Sequence, residues 1–348
     1  MFQGIMKHLF KTLIWVGTGI FLLFSQGAMG QEGTITLLSG GEKLTLLHNS
    51  ELIPPRLPHQ DSTPFGQLKT QALKTNDRVM ALYPGSTQQQ PIPKDDDGLV
   101  ALMNASGYEA SGLGGYELSL AEPDFLSHLQ QARFPYLAAN LQINSDSALA
   151  DVVLPFETVS IEDLRAGSLG GWMYPGLLIQ YDGLEVCVFG LVDQALQPQL
   201  SNPDFTLSDP MEAAQAMVTT CEENDSQLIV SLIHLTDVAR LDSAIKQQVP
   251  GIDVFVVGGS NERFDPEQNP AAHLMQTPKG LSLSVQTNVG RNLAGALDLT
   301  ISSNRIFEFS YRQVSLGGAG AMFGGWMLPL MLGLGALALL GFILFKGQ

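Results

Sequence analysis

The stretch Leu228-Ile229-Val230-Ser231-Leu232-Ile233-His234, followed by Leu235-Thr236-Asp237, is an apolar run that stops at an imidazole. Such a run suits a strand covered on both faces, and its polar end suits the C-terminal edge of a parallel sheet, where functional groups gather. The same texture recurs outward from it in Leu44 to His48, Val79 to Tyr83, Leu184 to Val192, Ile252 to Val257 and Leu281 to Gln286. Between these, Phe65 to Lys74, Leu126 to Arg133, Pro210 to Glu223 and Val238 to Gln248 carry helical spacing or helix-favouring composition. Alternating strands and helices predict an α/β fold. Pro54 to Pro64 and Thr87 to Gly98 read as surface loops. The second holds Asp95-Asp96-Asp97, a row of carboxylates rather than the encircling set that calcium requires.

The 348 residues carry 18 Lys+Arg against 34 Asp+Glu, a net charge of −16. With no basic run, the chain lacks the cations that neutralise phosphates, so nucleic acid is excluded as a partner. The apolar content of 45% is too high for a disordered chain. Mean hydropathy is nevertheless positive at +0.13, and the two ends account for much of that.

Residues 1–11 hold Lys7 and Lys11 and no acid, Thr12 to Phe24 is apolar, and Ala28-Met29-Gly30 offers small residues for cleavage. This reads as a signal peptide over 1–30, with a retained anchor as the alternative. Its removal leaves 16 basic against 34 acidic residues, a net charge of −18. Near the other end, no charge occurs between Arg312 and Lys346, and Met322 to Phe345 is long enough to cross about 30 Å of hydrocarbon. Trp326 falls where an aromatic belt residue sits, and Lys346 marks a cytoplasmic tail over 346–348. The expected organisation is an extracytoplasmic (periplasmic or cell-surface) domain over 31–314, a Gly-rich linker over 315–321 and a transmembrane helix over 322–345. Removal of that helix by processing and its burial as a core helix are the alternatives. Two cysteines, Cys187 and Cys221, allow one bridge and no zinc framework. Cys187 lies inside an apolar run and reads as a small buried hydrophobe, with a disulfide as the alternative.

Several segments resemble a known family in register. Met103-Asn104 with Gly107-Tyr108-Glu109-Ala110 is similar to a family MN-x-x-GYDA, and Phe134-Pro135-Tyr136-Leu137-Ala138-Ala139-Asn140 to its FP-x-L-x-AN. Ser231 to His234 resembles its strand ending in S-H, and Gly251-Ile252-Asp253-Val254 with Gly258-Gly259 stands before its GHSH position. Gln286 through Gly290 to Leu293, Gly295 and Leu297-Asp298-Leu299 resembles its closing strand pair. The family is the 5′-nucleotidases, in their N-terminal calcineurin-like metallophosphoesterase domain, over roughly residues 42–312. The resemblance implies a layered α/β/β/α sandwich with two central sheets, and a metal-dependent phosphoester hydrolase using two divalent ions.

Read onto this chain, the family's ligand motifs are largely replaced. The D-x-H after the first strand falls on Glu51-Leu52-Ile53, the bridging aspartate on Ser86, and the two histidines of GHSH on Ser260 and Glu262. In GNHE, the asparagine falls on Gly115 and the catalytic histidine on Tyr116, whose ordinary pKa of about 10 suits it poorly to protonate a leaving group. His234 is identical to the family ligand. The resulting expectation is a non-catalytic, metallophosphatase-like protein without a cofactor, acting in binding or assembly. Its expected partners are the membrane and an unidentified protein or small ligand. The alternative is an active hydrolase with a rebuilt site for a single divalent metal ion, held by Glu51, His234 and Glu262 with Glu117 nearby. In the family a separate C-terminal domain recognises the nucleoside, and here the closing strand over Ile306 to Tyr311 runs almost directly into the apolar segment, so nucleotide specificity is not carried over.

Overall fold

The structure, a computed structural model, describes residues 41–49, 63–85, 97–236, 245, 248–259, 272–277, 279–287 and 292–316. Two seven-stranded sheets form its centre. The first runs β16 (Arg305–Ser315), β15 (Leu293–Ser302), β1 (Glu42–His48), β2 (Val79–Tyr83), β3 (Ala110–Gly112), β4 (Tyr136–Leu137) and β7 (Met173–Tyr174). The second runs β13 (Ala272–Thr277), β14 (Gly280–Gln286), β12 (Val254–Gly258), β11 (Leu228–His234), β9 (Leu184–Val192), β8 (Gly176–Tyr181) and β6 (Glu157–Ser160). A short antiparallel pair, β5 (Leu141–Ile143) and β10 (Phe205–Leu207), lies apart from both.

The apolar runs are continuous because each strand is covered on two sides. Within β1, Leu44 and Leu46 join Met80, Leu82, Val186, Val188, Val230, Leu232, Val254 and Val256 in a core between the sheets. Leu47, with Val79, Ala81 and Tyr83 of β2, faces the other way. That face meets Phe65 of α1 (Pro64–Ala72), Met103 of α2 (Asp97–Ser106) and Phe125 of α4 (Glu122–Gln131), with α3 (Gly115–Leu118) between the last two in sequence. On the second sheet, Cys187, Phe189, Ile229, Ile233 and Phe255 meet Ala214, Met217, Val218 and Cys221 of α6 (Pro210–Glu223). The layers are therefore helix, sheet, sheet and helix, as the resemblance implied. Burying each such Leu, Val or Phe is worth about 1.5–3 kcal/mol, so the core between the sheets is a dominant stabilising term. Gly190 sets the closeness of the sheets: a Cβ there would stand 1.9 Å from Leu137 O.

Local signals fix the helix starts. Pro210 opens α6 behind Asp209, whose carboxylate accepts the Met211 N–H at 2.8 Å. Ser160 accepts the Asp163 N–H at the start of α5 (Ile161–Ala166), and Gly167 closes that helix at φ +76°.

Three strands, Val79–Tyr83, Leu184–Val192 and Leu228–His234, have the bounds expected of them. The strand expected over Ile252 to Val257 is Val254–Gly258. The helices expected at Phe65 and Leu126 begin earlier, at Pro64 and Glu122, and β16 runs through Ser315 into the expected linker. The helix expected over Val238 to Gln248 lies outside the described residues apart from Ile245 and Gln248. The cysteine reading needs correction. Cys187 and Cys221 are disulfide-bonded, with Cα atoms 5.8 Å apart. Cys187 is fully buried as expected, but it points at α6, whose last turn brings Cys221 against it. No helix among the described residues is long and apolar enough to cross a membrane, and the segments 1–30 and 322–345 lie outside them.

Candidate functional site

The parallel strands β1, β2, β3 and β4 of the first sheet and β9, β11 and β12 of the second present their C-terminal ends where the sheets meet. His234 ends β11 there and is 3% exposed. Its Nδ1 lies 3.3 Å from Pro84 O, just past β2, and its Nε2 accepts the Gly115 N–H at 3.4 Å. The carbonyl fixes the tautomer, with the proton on Nδ1 and the lone pair on Nε2. Burial pulls the imidazole down to about 4, against opposing contributions from the Pro84 and Gly85 carbonyls and from Asp193. The ring is therefore neutral at neutral pH. Backbone also closes over it: Gly259, at φ +95°, is so near that a Cβ there would stand 2.8 Å from Nε2 and 2.4 Å from Leu235 O.

Gly115 and Tyr116 begin α3, just past β3. Gly115 brings a backbone N–H where the family places an amide side chain. Tyr116 packs its ring 6.1 Å from that of His128, whose Nε2 is 2.7 Å from Tyr136 OH. Burial pulls His128 down to about 4 and pushes Tyr136 well above the ordinary phenol value. Tyr116 thus belongs to an aromatic group between α3, α4 and β4. Glu117 is buried and accepts the Gly114 N–H at 2.9 Å, capping the start of α3.

The structure brings together His234, Gly115 and, one residue on, Tyr116. Glu51, Ile53, Ser86, Ser260 and Glu262 lie outside the described residues. Among the described residues no three His, Cys, Asp or Glu side chains gather as a ligand set. With a backbone N–H against the His234 lone pair and no donor side chain at Gly115, the described part of the site does not fit a dimetal centre.

Sequence reasoning missed Asp193, at the end of β9. It accepts the Thr236 N–H at 3.0 Å and the Thr236 hydroxyl, while its own N–H donates to His234 O at 2.9 Å. The signal was there, a carboxylate directly after an apolar run. Residues within the two motifs that resemble the family brace the scaffold. Glu109 is 1% exposed, accepts the Ala81 N–H at 2.7 Å, and pairs with Lys69 at 2.5 Å and Arg165 at 3.4 Å. Asn140 clamps Val192 through both its N–H and its carbonyl, at 2.9 and 2.8 Å. A separate groove of about 620 Å³, lined by Lys69, Thr70, Asn104 and Arg133 among others, lies between α1 and α2 and includes none of the strand-end residues.

The layered sandwich and the strand-end site define the metallophosphatase class of fold. Solved structures agree: the NAD nucleotidase of Haemophilus influenzae superposes with a TM-score of 0.61 at 19% identity, covering 78% of this chain and 55% of that one. A 5′-nucleotidase precursor from Thermus thermophilus gives 0.60 at 20% identity, covering 78% and 54%. No protein-family profile matches the sequence. Among curated proteins, the chain is 29% identical over 173 residues to human 5′-nucleotidase, 48% of this chain and 26% of that one. It is 26% identical over 181 residues to the trifunctional nucleotide phosphoesterase YfkN of Bacillus subtilis, 47% of this chain and 12% of that one. These matches support a relationship to the 5′-nucleotidase family. The aligned regions span about a quarter or less of the length of these two curated relatives.

Proposed function

We propose that this protein is a membrane-anchored, extracytoplasmic member of the metallophosphatase-like class that has given up hydrolysis and serves in binding or assembly. The observation that carries the reading is the setting of His234, the one identical ligand position. Its imidazole is buried, with its lone pair against the Gly115 N–H, and Tyr116 stands packed among aromatics at the family's catalytic histidine position. Weakening even the partners that orient metal ligands costs about 10–100-fold in affinity or activity, and here the ligand side chains themselves differ. The Cys187–Cys221 disulfide supports an oxidising compartment, in agreement with export. The apolar segment over 322–345 supports the anchor.

The test is turnover of p-nitrophenyl phosphate and of nucleoside monophosphates by the purified full chain with manganese or zinc. The reading expects no turnover above the metal-only blank. Turnover abolished by His234→Ala would overturn it, and further dependence on Glu51 and Glu262 would establish the rebuilt mononuclear site instead. Retention of the full chain in membranes through an alkaline wash tests the anchor separately.

A further inference from the structure

β16 is the edge strand of the first sheet, eleven residues long, and among the described residues no strand pairs with its outer side. Long open edges are liabilities that proteins shorten, cover or charge. This one is charged, and its charges read as their own complement. Glu308, Ser310 and Arg312 share the face that carries Asp298 of β15, whose carboxylate meets Ser310 Oγ at 3.5 Å and the Arg312 guanidinium. Phe309 and Tyr311 share the opposite face and pack against the core between the sheets. Between them and the hairpin, Phe307 lies beside a register irregularity and is 64% exposed.

Two β16 strands laid antiparallel about a two-fold axis at Ser310 would place Ser310 opposite Ser310. Glu308 of each would then face Arg312 of the other, and Phe309 would face Tyr311. Directly opposed residues of an antiparallel pair lie on one face, so both charge pairs are attractive and both aromatic pairs extend the core face. Arg312 would sit between Asp298 of its own chain and Glu308 of the second. Phe307 is the extra residue of a bulge, so the paired segment is Glu308 to Arg312 on each strand. A shift of the pairing by two residues brings Ser310 opposite Glu308 or Arg312 and loses both charge pairs.

We propose that β16 is a self-association edge, and that its occupant is β16 of a second copy of this chain, joining the two first sheets into one across a two-fold axis. Such an interface is isologous, as closed homodimers require. The two Ser315 residues would stand about 34 Å apart at ~3.4 Å per residue, so the chains continue from opposite ends of the ribbon.

The test uses the full chain in detergent, with its cysteines already bridged, so that an added cysteine is the free thiol. Under mild oxidation Ser310→Cys is expected to form a covalent dimer, because the two Cα atoms would be about 4.5–5.5 Å apart. Gln313→Cys, whose two copies would stand about 20 Å apart at ~3.4 Å per residue, is expected to form little. Adding Glu308→Arg to Ser310→Cys places arginine against Arg312 and is expected to cut the dimer yield about 10-fold. Mixing Glu308→Arg with Arg312→Glu chains, which regain both attractive pairs, is expected to restore association measured by light scattering. A monomer at all concentrations, equal cross-linking at 310 and 313, or indifference to Glu308→Arg would overturn the proposal.

Discussion

The His234 Nε2 accepts the backbone N–H of Gly115 across the meeting line of the two sheets, at 3.4 Å. One residue thus joins β11 to the start of α3, and through Pro84 to the end of β2. The same lone pair is the one a metal would need, and on the reading proposed above the imidazole serves as a strut. Gly259 completes the enclosure. Gly259→Ala would force a Cβ to 2.4 Å from Leu235 O at a φ that L residues rarely adopt. The expected cost is about 1–3 kcal/mol, read as a lower midpoint in urea unfolding. An unchanged midpoint would show that the backbone relaxes away from the ring.

Glu109 offers a second test of scaffold roles. It is buried against Lys69 and Arg165 and accepts the Ala81 N–H, so Glu109→Ala leaves a nearly buried ammonium and a strand N–H without their partner. Breaking such a pair on one side costs about 3–5 kcal/mol. Denaturant unfolding of Glu109→Ala checks this, and a loss below about 1 kcal/mol would place the pair among ordinary surface bridges.

The disulfide closes a loop with a sequence separation of 34. Loop-closure arithmetic gives about 3–4 kcal/mol for replacing both cysteines by alanine. Since both sulfurs belong to fully buried residues, the native protein should resist dithiothreitol until it unfolds. Rapid thiol labelling of native protein after mild reduction would contradict this.

Acid should destabilise the fold. Burial lowers His48 to about 3 and His128 and His234 to about 4, so below the ordinary value of 6.5 the unfolded chain takes up three protons that the folded chain refuses. Stability is then lost as pH falls through the window from about 6.5 to 4. Asp253 acts oppositely: burial raises it to about 7 from 3.8, so the folded form holds a proton that the unfolded form releases, and stability grows toward acid. Three against one leaves a net loss on the order of 2–3 kcal/mol per pH unit near pH 5. Urea unfolding at pH 7, 6 and 5 checks the slope, and a flat or inverted profile would contradict it.

Much of the fold was legible because the covered strands are long and apolar. Val79–Tyr83, Leu184–Val192 and Leu228–His234 are predominantly apolar on both faces, a pattern that an amphipathic helix or a half-exposed strand does not give. The two-residue strands β4 and β7 were not, since Tyr136-Leu137 and Met173-Tyr174 are too short for any period to register. Cys187 and Cys221 could not be paired from sequence, because their meeting depends on how α6 lies on the second sheet. At the site, His234 and Tyr116 stood out by their motifs and Asp193 was marked by its place directly after an apolar run, while His128 became visible only once packing set it beside Tyr116.

The account stands or falls on metal binding. Isothermal titration of manganese and of zinc into the purified full chain, followed by metal analysis after dialysis, measures it directly. The account predicts no stoichiometric ion retained and no change with His234→Ala. Two tightly held ions per chain, or one, lost with His234→Ala, would contradict it.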